Sequence, residues 1–181
     1  MACLLCLGFW QLGQGTYIPA KAWLAQELMQ RAWLRAGNGA DRPPPWPWAD
    51  TWPVARLTSH TRGVDLIVLQ GGTGGTLAFG PGHLSASALP GETGNAVIAG
   101  HRDTHFQFLR DVEPGELVGV ESPDGERHVY EIIGADVVDS RRGSLVLDTD
   151  AAMLTLVTCY PFEAREAGGP LRYVVTAKML F

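Results

Sequence analysis

Short strand-type runs separated by turn residues fill the chain after Trp52, and they constrain the fold more than any other feature. Val, Ile and Thr recur within the runs, and Gly, Pro, Asp or Asn bounds them. β-Branched residues favour extended backbone, whereas Gly, Pro and Asn favour turns. The runs predicted as strands are residues 53–57, 65–69, 96–99, 116–121, 127–138, 153–158 and 172–179. Seven or eight strands over roughly 130 residues predict an all-β domain, either a closed barrel or a sandwich.

The N-terminal part of the chain has a different composition. Residues 1–20 contain no Asp, Glu, Lys or Arg, and we expect them to form an uncleaved membrane anchor, with a core helix as the alternative. Residues 21–36 are rich in helix formers, and Leu24, Leu28 and Ala32 are spaced by four. This spacing predicts an amphipathic helix on the membrane surface or against the domain. The proline-rich residues 37–50 predict a stiff linker to a domain at 51–181.

Charge excludes nucleic acid as a partner. The formal net charge of the 181 residues is −5 and the chain has no cluster of Lys and Arg, whereas phosphate binding needs concentrated positive charge. Four acidic residues are candidate calcium ligands: Glu113, Glu116, Glu121 and Asp124. Because their spacing fits no calcium loop, a solvated face is the expectation.

Cys159 is the best candidate for a reactive group. The other two cysteines, Cys3 and Cys6, lie in the apolar N-terminus, where a membrane segment explains them better than a redox or zinc pair. Cys159 ends a predicted strand, and Pro161 stops that strand because proline cannot donate to a sheet ladder. A thiol at a strand end is held rigidly and can still face a groove, as a nucleophile requires.

A nucleophilic thiol needs a base and a group that stabilises the developing oxyanion. His101 follows a buried strand that ends in Gly, so both His101 and Cys159 are expected at strand ends. His105 is the alternative candidate for the base. Arg172 opens the last predicted strand, which an antiparallel return would place beside the strand of Cys159. A solvent-exposed arginine with a local carboxylate is an equal alternative for Arg172. His83 follows a Gly-Pro-Gly turn, and His60 and His128 have the pattern of exposed strand or turn residues.

Two phosphate-binding patterns fail on their chemistry. Cys159 and Arg165 have the Cys-x5-Arg spacing of cysteine phosphatases, but Pro161 removes a backbone donor and Glu163 adds a negative charge to the loop. The glycine-rich residues 71–76 have no lysine and no predicted helix after them. A mobile turn is therefore expected there, and not a phosphate loop.

Three segments together resemble the sortase family. Thr155-Leu-Val-Thr-Cys159 resembles its TLxTC signature, Ala99-Gly-His101-Arg resembles its histidine segment, and Arg172-Tyr-Val-Val resembles the start of its last strand. Their order also agrees, and the resemblance runs from about Trp52 to the C-terminus. The segments that are similar to the proteobacterial branch of the family are Trp10-Gln-Leu-Gly-Gln, Gly80-Pro-Gly-His83 and Pro90-Gly-Glu-Thr-Gly-Asn95.

The resemblance implies an eight-stranded β-barrel and a cysteine transpeptidase or endopeptidase. It implies anchoring in the inner membrane with the catalytic domain on the periplasmic or another extracytoplasmic face. The implied substrate is a protein with an LPxTG-like C-terminal sorting signal, the acceptor amine is open, and no metal or organic cofactor is needed. A non-catalytic, membrane-anchored barrel that binds peptides is the alternative.

The resemblance also assigns roles to residues of this chain. It implies Cys159 as the nucleophile, His101 as the acid/base and Arg172 as the group that stabilises the oxyanion or orients the substrate. The residues expected to bind substrate are Ala99, Gly100, Thr158 and Tyr160.

Overall fold

The structure is a computed structural model that describes residues 23–164 and 168–180. The predicted membrane anchor at residues 1–20 and Arg165 of the Cys-x5-Arg pattern lie outside these residues. Within the described residues, no helix combines the length and the apolar character that crossing a membrane requires.

Eight strands close into a barrel, and the closed barrel predicted as one of two alternatives is confirmed. The strands are β1 Pro53–Ser59, β2 Val64–Gln70, β3 Gly82–His83, β4 Gly94–Ala99, β5 Leu117–Glu121, β6 Arg127–Asp139, β7 Ala152–Cys159 and β8 Leu171–Met179. Their order around the barrel is β1-β2-β3-β4-β7-β8-β6-β5. Neighbours are antiparallel except for β2 with β3 and β4 with β7, which are parallel. All seven predicted runs are strands, and only the two-residue β3 was missed.

Alternate side chains of the strands fill the barrel, because successive residues of a strand point to opposite faces. In β1, for example, Ala55 and Leu57 are fully buried while the residues between them are half-buried. Burial of a large apolar side chain stabilises a fold by about 1.5–3 kcal/mol. The largest buried side chains of this core include Tyr130, Phe106, Leu57, Ile98, Leu109, Ile132, Leu154 and Leu156.

One long helix packs against the outside of the barrel. This helix, α1, covers residues 23–37, and its Met29 and Trp33 pack with Ile67 and Leu69 of β2. The buried stripe of α1 consists of Ala25, Met29, Ala32 and Trp33. The expected stripe at Leu24, Leu28 and Ala32 is therefore offset, since Leu24 is 50% exposed. The reason is that the larger apolar side chains Met29 and Trp33 set which face of α1 contacts β2.

The sequence predicts a turn at residues 71–76 and no helix after it, but the second half of this run begins a helix. A short helix, α2, occupies Gly74–Leu77, and the Thr73 side chain caps it by accepting a hydrogen bond from the Thr76 backbone N–H. A threonine at this position satisfies a donor that the first helical turn leaves open. The only other short helix among the described residues is a 3₁₀-helix at Gln107–Asp111.

Candidate active site

Strands β7 and β8 bring Cys159 and Arg172 together. Cys159 is the last residue of β7, and its direct cross-strand partner in the antiparallel pair is Arg172, the second residue of β8. Residues opposite each other in such a pair have their Cβ atoms about 4.5–5.5 Å apart. The antiparallel return that the sequence predicts is confirmed, and it places a cation beside the thiol.

Strand β4 brings His101 to the same end of the barrel. In the parallel pair of β4 with β7, Ala99 lies opposite Val157. Two hydrogen bonds continue this register beyond β4: Gly100 N–H donates to the Val157 carbonyl at 3.0 Å, and the Thr158 hydroxyl donates to the Gly100 carbonyl at 2.7 Å. His101 therefore stands level with Cys159. The three residues come from three adjacent strands.

A close approach of backbone to an aromatic ring explains the glycine before His101. A Cβ added at Gly100 would lie 2.7 Å from Cγ of Phe106, whose ring is fully buried. The Phe106 N–H also donates to the His101 carbonyl at 3.0 Å. The segment after β4 is thus folded back over the core, and this leaves the His101 side chain exposed at the surface.

His105 lies on the same segment but in a different environment. Its side chain is half-buried, and burial lowers the pKa of the His105 imidazole, with a further lowering from the charge of His101. The two rival histidines are therefore close enough to interact. The register with Cys159 favours His101.

The remaining histidines lie elsewhere on the barrel. His60 is exposed at the end of β1, as predicted. His128 is only 8% exposed, so its expected exposure is wrong; it is covered by the backbone at Gly91, where an added Cβ would meet the imidazole. His83 is 2% exposed, and its Nε2 lies 2.8 Å from the Ala88 carbonyl oxygen.

The guanidinium of Arg172 is held by backbone carbonyls just before and at the start of β8. Its Nη1 donates to the carbonyls of Gly169, at 2.6 Å, and Leu171, at 2.9 Å. These bonds keep the charge at the Cys159 end of the sheet. The neighbouring residue Tyr173 stacks on Tyr160, with ring centroids 6.1 Å apart.

The residues expected to bind substrate lie at this end of the barrel, but two of them already have structural partners. The buried Thr158 hydroxyl donates a hydrogen bond to the Gly100 carbonyl, and the Gly100 N–H donates to the Val157 carbonyl. Ala99 and Tyr160 are half-buried. Substrate contact at these four residues stays a prediction.

Arg102 belongs to the same end of the barrel, and the sequence reasoning gave it no role. Its side chain is 6% exposed and donates to the Asp103 carboxylate and to the carbonyls of Pro161 and Ala164. The hydrogen bond with Asp103 is the main cause that raises the pKa of Arg102, and the Cys159 charge contributes. Its position directly after His101 was the only signal in the sequence.

Two of the four acidic residues considered as calcium ligands have arginine partners. Glu116 accepts hydrogen bonds from Arg62, and Glu121 accepts one from Arg127 at 2.9 Å. Across residues 23–164 and 168–180, no group of three or more His, Cys, Asp or Glu side chains is arranged to hold a metal ion.

The protein is a closed eight-stranded β-barrel that carries a cysteine, a histidine and an arginine at one end of three adjacent strands. Comparison with known families narrows its class: the Sortase domain matches residues 58–180. Since this match covers more than half of the chain, the protein belongs to the sortase family.

Individual relatives agree with this assignment. The chain is 34% identical to sortase D of Bacillus subtilis over 115 residues, which are 63% of this chain and 57% of the relative. It is similar to the structure of a Clostridium perfringens sortase D5 transpeptidase, with a TM-score of 0.63 and 28% identity over 71% of this chain and 79% of that one. For sortase C-1 from Actinomyces oris the TM-score is 0.63 and the identity 29%, over 71% and 73% of the two chains.

These comparisons do not support the proteobacterial branch that the sequence resembles. The curated relative comes from a Gram-positive species. The chain spans a little over half the length of that relative.

Proposed function

We propose that this protein is a cysteine transpeptidase that cleaves an LPxTG-like sorting signal and transfers the cleaved protein to an amine. The observation that carries the proposal is the register that pairs Cys159 with Arg172 and sets His101 level with both. Membership of the sortase family and the likeness to a sortase D5 transpeptidase support it.

The chemistry follows from the three side chains. The Cys159 sulfur attacks the scissile carbonyl carbon as a thiolate, and the carbonyl oxygen becomes an oxyanion. When the tetrahedral intermediate collapses, the C–N bond breaks and His101 donates a proton to the departing amine. An acceptor amine or water then attacks the thioester carbon and gives a proton to His101, and the C–S bond breaks to release the Cys159 thiolate.

In this proposal Arg172 stabilises the oxyanion. It lies directly across the sheet from Cys159, and the carbonyls of Gly169 and Leu171 hold its Nη1. A preorganised donor of this kind lowers a barrier by about 3–4 kcal/mol. Because these two bonds are in place before substrate binds, the guanidinium needs little reorganisation during the reaction.

We also propose that the catalytic barrel works on the outer face of the cytoplasmic membrane. The absence of Asp, Glu, Lys and Arg from residues 1–20 supports an anchor there. The proposal is tested by asking whether the full chain, expressed in bacteria, partitions with membranes and is cleaved by protease added to spheroplasts. Protection of the barrel from that protease would contradict it.

The catalytic proposal is tested with the purified full chain and a fluorogenic LPxTG peptide, with hydroxylamine as the acceptor. We expect turnover, and an intact mass that shows the acyl fragment on Cys159. Cys159→Ala should abolish both, and Arg172→Gln should lower kcat by about 100- to 1000-fold. Turnover by Cys159→Ala equal to that of the wild type would exclude Cys159 as the nucleophile.

The choice of base is tested separately, by comparing His101→Ala with His105→Ala under the same conditions. We expect the large loss of kcat in the His101 variant. Activity kept in His101→Ala and lost in His105→Ala would reverse the assignment. Binding of the peptide without any turnover would favour the non-catalytic peptide-binding barrel.

A further inference from the structure

We propose that Arg102 is a positioning residue that fixes the segment after Cys159 against the segment that carries His101. This inference rests on the proposed function, because it concerns the geometry of the same site. The segment after Cys159 comprises residues 160–164 and is called the post-cysteine segment below.

The hydrogen bonds of Arg102 join two parts of the chain that the sheet does not join. Its Nη1 donates to the Pro161 carbonyl at 2.6 Å, and its Nη2 donates to the Ala164 carbonyl at 2.8 Å. The sheet pairing of β4 with β7 ends at Ala99 and Val157. Arg102 therefore continues the connection between these chain segments past the end of the sheet, on the far side of both His101 and Cys159.

The Arg102 side chain is buried. Arg102 is 6% exposed, whereas its carboxylate partner Asp103 is 67% exposed. Asp103 accepts from Nε at 2.6 Å and from Nη2 at 2.9 Å, so it balances the buried charge. A buried arginine that lacked these partners would carry an uncompensated charge, and the four bonds explain why the position is tolerated.

The geometry of the four bonds needs a guanidinium. Three nitrogens of one planar group donate in fixed directions, to a carboxylate on one side and to two carbonyls on the other. A lysine ammonium keeps the charge but, as a single point, cannot reach both carbonyls and the carboxylate in the same way. Arg102→Lys is therefore expected to restore only part of the function that Arg102→Gln loses.

The expected effect is on catalysis more than on substrate binding. Arg102 directly follows His101, and Pro161 follows Cys159 by two residues, so a shift of the post-cysteine segment changes the distance between acid/base and nucleophile. A misplacement of about 1 Å between reacting groups can cost on the order of 100-fold in rate. We expect Arg102→Gln to lower kcat by at least about tenfold and to change KM by less than about threefold.

Arg110 offers a matched control. Its Nη2 forms an ion pair at 2.8 Å with Glu163 of the same post-cysteine segment, but both side chains are more than half exposed. Exposed pairs of this kind contribute little. Arg110→Gln is expected to keep kcat and KM within about twofold of the wild type.

The experiment measures two things on the full-length wild type, Arg102→Gln, Arg102→Lys and Arg110→Gln. The first is kcat and KM for the fluorogenic peptide. The second, which needs no substrate, is amide hydrogen exchange of residues 162–164. We expect faster exchange in both Arg102 variants, wild-type exchange in Arg110→Gln, and a kcat for Arg102→Lys between those of Arg102→Gln and the wild type.

The two readouts separate the failure of this inference from the failure of the proposed function. A wild type without turnover would remove the proposed function, and the exchange data would still decide whether Arg102 holds the segment. Wild-type exchange or wild-type kcat in a folded Arg102→Gln would overturn the inference. If circular dichroism shows that Arg102→Gln is unfolded, Arg102→Lys decides in its place, and wild-type values for that variant overturn the inference equally.

Discussion

At the scale of single residues, His105 makes the protein sensitive to acid. Burial, and then the charge of His101, lower the pKa of the His105 imidazole below its usual value of 6.5. In the unfolded chain the imidazole takes up a proton more readily, so acid favours unfolding. The stability that depends on neutral His105 is complete above about pH 6.5 and is lost as the pH falls through the folded-state pKa.

His105→Gln should therefore weaken the acid dependence of stability. We expect the fall in Tm between about pH 7.5 and pH 5 to be smaller in this variant than in the wild type, because one group that binds protons on unfolding is gone. Thermal unfolding followed by circular dichroism at several pH values measures it. An unchanged slope in His105→Gln would contradict the argument.

At the scale of elements, one buried side chain connects β4 to the loop between β6 and β7. The Asn95 amide donates to the Val146 carbonyl at 2.8 Å and accepts from the Thr155 hydroxyl at 2.9 Å. The Asn95 backbone N–H donates to the Leu147 carbonyl at 2.9 Å. The loop at residues 140–151 is thus held to the β4–β7 pair that also positions His101 and Cys159.

Asn95→Ala should release this loop. The buried Thr155 hydroxyl loses its acceptor, which costs about 1–3 kcal/mol, and the Val146 carbonyl loses the donor that ties the loop to β4. We expect a lower free energy of unfolding in urea and faster thermolysin cleavage near Leu145 and Val146, both of which are exposed. The control is Thr149→Ala, which removes only a bond to Ala151 within the same loop. Equal cleavage rates in the two variants would show that Asn95 does not hold the loop.

At the scale of the whole molecule, helix α1 is part of the packed structure. Met29 is 1% exposed and contacts β2, whereas Leu24 on the same helix is 50% exposed. Met29→Ala leaves a cavity at this contact, and we expect a loss of about 2 kcal/mol or more in a single cooperative unfolding transition. Leu24→Ala should change stability by less than about 0.5 kcal/mol. An unfolding curve of Met29→Ala that matches the wild type would mean that α1 unfolds separately from the barrel.

The sequence could predict what depends on local pattern. The seven longer strands follow from β-branched runs bounded by turn residues, and the pairing of Cys159 with Arg172 follows because β7 and β8 are consecutive and antiparallel. The two-residue β3 has no pattern of its own. The buried stripe of α1 was placed one residue off because the partner surface on β2, and not the helix alone, decides which face is covered.

What depends on contacts between distant parts of the chain could not be predicted from the residues alone. The residues favoured His101 over its rival His105 only through its place at a strand end, and the parallel register of β4 with β7 adds that His101 lies level with Cys159. Arg102 has the sequence pattern of a surface residue, and its role appears only when the carbonyls of Pro161 and Ala164 are placed opposite it. The folded barrel, and not the local sequence, determines which groups lie opposite a side chain.

The parallel pairing of β4 with β7 also determines when the site can exist. No hairpin turn connects these two strands; β5, β6 and their loops lie between them in the chain, so joining them closes a long loop at a large entropic cost. Non-local pairings of this kind form late and make folding slow. The site is therefore assembled only when the barrel closes, and the cysteine has no histidine beside it while the chain is still incomplete.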